Sequence, residues 1–151
     1  MSQRTKWIAV TVLLGLAAFL TGVNGPLAFL IGWHPAAGSP QPTAAQLPFF
    51  MVLGLAEALA LGFGVAFLVF GYPWMRAAST PGGLTRAAHL AIAWTLINWW
   101  SHDSFHVANG LDLVGMLVIE YAYHFTLMAA GTIAAAWFVT VVRGRQLTAA
   151  R

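Results

Sequence analysis

Two short segments carry most of the side chains capable of chemistry. Trp99-Trp100-Ser101-His102-Asp103-Ser104-Phe105-His106 and Glu120-Tyr121-Ala122-Tyr123-His124 together hold three of the five histidines and two of the four acids. Residues four apart on a helix stand on one face. His102 and His106 therefore present two imidazoles to one point, with Asn98 a turn below, and Glu120 and His124 form a second pair on a Met116-Glu120-His124-Met128 stripe. Two imidazoles at i and i+4, completed by a carboxylate and a third imidazole from a facing helix, make a four-ligand shell for a transition metal. The expected ligands are His102, His106, Glu120 and His124. Asp103 lies about 100° off the histidine stripe, placed to orient an imidazole or serve as a base. Glu57, inside the apolar run Met51 to Phe70, is the second candidate acid–base residue; a protonated carboxyl bonded to Asn24 or a tyrosine is the structural alternative.

The elements that hold these residues are membrane spans. Hydrophobic residues make up 60% of the chain and charged residues 7%, which defines an all-α integral membrane protein and leaves no length for a soluble domain. Spans are expected at about 7–31, 47–70, 87–107 and 117–142, each meeting the ~20 residues a helix needs to cross the hydrocarbon core. They form a single four-helix domain over 1–151, an up-down bundle in which the short connection Ala108 to Leu113 makes the last two helices antiparallel neighbours. Arg4 and Lys6 precede an apolar stretch longer than the ~7 to 15 residues of a signal sequence, so the first span is read as retained. Asn24-Gly25-Pro26 is expected to kink it. Pro73, Pro81, Gly82 and Gly83 mark a turn-rich loop, and Asp112 is read as a helix N-cap.

All seven basic residues, Arg4, Lys6, Arg76, Arg86, Arg143, Arg145 and Arg151, fall at the N-terminus, in the second-to-third loop or in the tail. The positive-inside rule makes that side cytoplasmic, with both termini inside. The basic balance is then topology rather than nucleic-acid recognition, and no nucleic-acid partner is expected. Cysteine is missing, which excludes disulfides, thiolate ligands and cysteine nucleophiles. Measured at about 1.5 Å per residue from the basic rim, His102 and His106 lie roughly 24 and 30 Å along the third span, His124 roughly 28 Å and Glu120 roughly 34 Å along the fourth, Glu57 about 28 Å and Asn24 about 27 Å. All four spans thus place a polar group in the outer half of the bilayer, near the extracytoplasmic face of what is read as a bacterial cytoplasmic membrane. Ionisable side chains at such depth are costly and mark functional sites.

His102-Asp103-Ser104-Phe105-His106 resembles the H-E-x-x-H zinc box, with Asp in the place of the base, and the opening histidine box of membrane fatty-acid desaturases and hydroxylases. The likeness covers five residues, and the further histidine-rich boxes of the desaturase group are missing. It implies His102 and His106 as ligands and Asp103 as base. Three histidines with one or two glutamates suit zinc or iron, with copper or haem b as alternatives. The leading expectation is a metal-dependent membrane enzyme, an oxidoreductase or hydrolase, or a redox protein, whose lipid-like or isoprenoid substrate enters from the bilayer. A proton or metal-ion carrier with a Glu/His relay and an accessory subunit of a membrane complex are the other classes. Small residues such as Gly62, Gly64 and Ala130 permit close packing within a chain or in a homo-oligomer.

Overall fold

A computed structural model describes residues 1–39, 41–78, 82–110 and 112–149, with Thr148 described in its backbone alone. Pro81, Arg151 and one residue of the last connection, Leu111, lie outside the described residues. The described residues are helical or loop, without a strand. In chain order the helices are α1 (Gln3–Thr21), a 3-10 turn (Ala28–Ile31), α2 (Leu47–Phe70), α3 (Tyr72–Ala78), α4 (Gly83–Asn109), α5 (Leu113–Ile119), a π-helical segment (Glu120–Phe125) and α6 (Thr126–Ala149).

Local chemistry sets the ends. The Ser2 hydroxyl accepts from Thr5 N–H at 3.1 Å and starts α1. The helix stops at Thr21, ten residues short of the expected end of the first span. Gly22 and Gly25 turn the chain, Pro26 has no N–H to continue the ladder, and Leu27 N–H reaches back to Leu20 O at 2.8 Å. Asn24-Gly25-Pro26 is a terminus rather than a kink, and Asn24 is exposed beyond it. Ala18 O accepts both the Gly22 N–H at 2.8 Å and Trp100 Nε1 of α4 at 2.9 Å, so the early end of α1 is tied to the helix bearing the histidines. The Asp112 carboxylate accepts from Gly115 N–H at 2.7 Å, the N-cap read from the sequence.

Small residues decide the packing order. Gly62 and Gly64 stand two apart on α2, which points them about 200° from each other. A Cβ on Gly62 would strike Thr11 O of α1, and one on Gly64 would strike Ile97 and Leu96 of α4. So α2 is held between α1 and α4 at backbone distance. On its other side α4 packs along α6. At the far end from the histidines, Trp7 is buried, stacked on Trp74 at 4.8 Å and flanked by Phe63 and Phe67.

Three helical stretches are long and apolar enough to cross a membrane: Gln3–Thr21, Leu47–Phe70 and Leu113–Leu147. The last runs from α5 through the π segment into α6 and exceeds the expected 117–142. α4, expected to span 87–107, is longer than either α1 or α2 at 27 residues, about 40 Å. It falls short of a span on composition, because it carries His89, Asn98, His102, Asp103, Ser104 and His106. The fold accounts for that polarity: Thr85, His89, Asn98, His102 and Ser104 are all buried. The least apolar of the long helices turns its polar residues inward, while α6 is apolar and buries only Ala130 among its described side chains.

Candidate metal centre

His102 and His106 leave consecutive turns of α4 on one face, and His124 meets them from the π segment. His102 Nε2 lies 2.8 Å from His124 Nε2 and 3.1 Å from His106 Nε2, and ligand atoms of the three rings all fall within 4.8 Å of one another. A ring nitrogen has one in-plane position, holding either a proton or a lone pair. His102 Nε2 therefore cannot complete two well-directed hydrogen bonds at once. A cation at the common focus satisfies all three nitrogens. Tetrahedral bonds of about 2.05 Å set ligand nitrogens about 3.3 Å apart, so His102 would stand off from each of its two neighbours by a few tenths of an ångström for an ion to enter.

The π segment brings His124 to this focus. Such turns are rare and recur at functional sites. The Thr126 hydroxyl donates back to Ala122 O at 2.7 Å and to Tyr123 O at 3.1 Å, and accepts from Trp94 Nε1 of α4 at 2.9 Å. The wide turn is thus pinned to α4 about two turns before His102. Its extra residue also breaks the expected stripe. Met128 points outward, 66% exposed, while Ile119, Tyr123 and Ala130 form the buried face.

Glu120 is not part of the nitrogen cluster. Its Oε2 lies 2.8 Å from His124 Nδ1, and more than half of its side chain is exposed. With the carboxylate accepting from Nδ1–H, the His124 Nε2 lone pair is left for the focus, the arrangement in which a carboxylate orients a metal-binding imidazole. Asp103 Oδ1 stands 4.0 Å from His102 Nδ1, short of a hydrogen bond, and that Nδ1 is buried without a partner. Glu57, half-buried on α2, is within electrostatic reach of Asp103 and apart from the three nitrogens. Glu120 and Asp103 thus stand beside the histidines without joining the nitrogen cluster.

Aromatic rings close in on the cluster. Tyr123 is buried with its ring 5.7 Å from that of His102, and Trp99 meets the same imidazole edge-on at 5.7 Å. Asn98, fully buried a turn below His102, has no partner for either side-chain polar atom. His34 is exposed in the loop between α1 and α2. That loop lies against the end of α4, with Ala36 N–H donating to Val107 O at 3.0 Å and Trp33 edge-on to Phe105 at 5.3 Å.

The chain matches no family model, and comparisons with curated proteins and with solved structures give no match. The site's chemistry must be argued from its own atoms.

Proposed function

We propose that the protein is a small polytopic membrane metalloprotein in which His102, His106 and His124 hold one divalent transition metal. The observation that carries this is the convergence of three imidazole Nε2 atoms from α4 and the π segment, with Glu120 on the far nitrogen of His124. Three neutral nitrogen ligands with a fourth position open is the pattern of catalytic rather than structural zinc sites, and iron is the next choice for the same donor set. Two axial imidazoles of a haem face each other across a porphyrin about 4 Å apart, so three nitrogens at one focus favour a single ion.

In this reading α4 is the fourth span, its polar face shielded by α2 and α6, and both termini are cytoplasmic under the positive-inside rule. Supporting this, Arg76, Arg86 and Arg145 line cavities at one end of the molecule, while the histidines sit about 24 Å or more along α4 from Arg86. The site then faces the outer half of a cytoplasmic membrane. The neighbouring exposed residues Leu117, Tyr121 and Phe125 are lipid-facing, which suits an apolar, lipid-like or isoprenoid substrate arriving from the bilayer. The metal supplies Lewis acidity, or an activated water or oxygen, at the open position. Asp103 beside His102, and Glu57 within electrostatic reach of Asp103, are the proton-handling candidates.

The test is elemental analysis of protein purified after metal-replete expression. About one zinc or iron per chain is expected in wild type, and a His102→Ala/His124→Ala variant should lose it. Metal-free wild type, or a variant with unchanged metal content, overturns the reading.

A further inference from the structure

The end of the molecule opposite the histidines holds a second site of different chemistry. A cavity of about 490 Å³ is lined by Tyr72 and Arg76 of α3 and by Arg86, His89 and Leu90 of α4. The two arginines come from different helices and open onto one space. His89 closes its inner wall: the ring is buried, Nε2 donates to Phe67 O at 2.9 Å, and the Tyr72 ring meets it edge-on at 5.5 Å. Neither Arg76 nor Arg86 has a carboxylate partner among the described residues, whose ion pairs involve histidines alone. The acids lie elsewhere: Glu57 is about 20 Å of helix before the end of α2 at Phe70, and Asp103 about 26 Å along α4 from Arg86.

Positive-inside sorting accounts for arginines in this loop, but not for two of them sharing a cavity with a tyrosine and a buried imidazole. The surroundings mark the depth of a lipid headgroup. Trp74, 63% exposed, stacks on Trp7 beside the cavity, and Leu90 at its edge is 58% exposed. Tryptophan and tyrosine concentrate at the membrane–water interface. Basic pockets between helices at that level bind anionic headgroups. A guanidinium pair is suited to phosphate oxygens, because each can present two parallel N–H donors.

We propose that this cavity seats the phosphate of an anionic glycerophospholipid of the phosphatidylglycerol type, held by Arg76 and Arg86, with its chains leaving along the exposed face of α4 at Leu90. The site is independent of the metal centre.

The test uses full-length protein in nanodiscs with equal parts phosphatidylglycerol and phosphatidylcholine, ejected into a native mass spectrometer. Wild type is expected to retain phosphatidylglycerol in preference, losing that preference as salt is raised before measurement. With each arginine contributing about fivefold, Arg76→Gln/Arg86→Gln should weaken retention about 25-fold. Arg4→Gln/Lys6→Gln removes the same charge from the same end and should leave retention unchanged. Equal retention of the two lipids by wild type, insensitivity to salt, an equal fall in the Arg4/Lys6 variant, or displacement of the lipid by millimolar inorganic phosphate each overturns the proposal. Because wild-type preference and salt dependence need no variant, a double variant that fails to fold leaves a decisive readout.

Discussion

Replacing Glu120 by Gln tests whether the carboxylate acts on the metal through His124. The side chain keeps its volume, and the contact it loses is a charge-assisted bond of 2.8 Å to Nδ1. In the wild type that bond places the ring proton on Nδ1 and leaves Nε2 unprotonated toward the focus. An amide holds the tautomer less firmly, since it can offer N–H as readily as C=O. Loss of such an outer partner typically costs 10- to 100-fold in metal affinity. Glu120 is 55% exposed, so water replaces part of what is lost and the effect belongs near the lower bound, about tenfold or roughly 1.4 kcal/mol. Competition titration against a chelator of known affinity measures it. Asp112→Asn is the control, because it removes one negative charge from the N-cap of α5 without touching the imidazoles. Unchanged affinity in Glu120→Gln, or an equal fall in Asp112→Asn, would refute the reasoning: the first denies the contact its role, and the second reduces it to long-range charge.

Other consequences are open to direct measurement. Protons compete with the ion for three imidazole nitrogens, so metal content should fall on acidification with more than one proton taken up per ion released, read by pH-dependent dialysis with elemental analysis. Gly62→Val forces α1 from α2 at Thr11 O and should destabilise the protein by about 1 to 3 kcal/mol in thermal unfolding, with metal stoichiometry kept because the site lies on α4 and the π segment. Asn98→Leu removes a fully buried amide with two unsatisfied atoms and should stabilise the metal-free protein by about 1 to 3 kcal/mol in the same assay; destabilisation would show that the amide is satisfied by a bound molecule. Trp100→Phe removes one of two donors to Ala18 O, the Gly22 N–H remaining, and should cost at most about 1 kcal/mol.

Helical periodicity carried much of the site. His102 and His106 stand a turn apart on a helix of any context, and the short connection after α4 leaves the last helical stretch antiparallel to it, so His124 was placed opposite them from spacing alone. Periodicity could not show where Glu120 would go. The π segment Glu120–Phe125 contains neither Gly nor Pro, and the bond network that holds it, Trp94 to Thr126 to the Ala122 and Tyr123 carbonyls, joins residues far apart in sequence. Its extra residue moved Met128 off the stripe and left Glu120 behind His124 instead of beside it. The end of α1 was misplaced for a related reason. Asn-Gly-Pro allows both a kink and a stop, and the choice rests on contacts at the helix end, here Leu27 N–H returning to Leu20 O and Trp100 donating to Ala18 O from eighty-two positions further along. The polarity of α4 lowers its standing as a span on composition, yet burial of those same polar residues is what three-dimensional packing adds.

X-ray absorption at the edge of the bound metal bears most directly on the central claim. The account predicts three imidazole nitrogens at about 2.0 to 2.1 Å and one further light ligand, falling to fewer imidazoles in His124→Ala. A spectrum with no imidazole scattering, one with a second metal nearby, or a wild-type protein that binds no transition metal would contradict it.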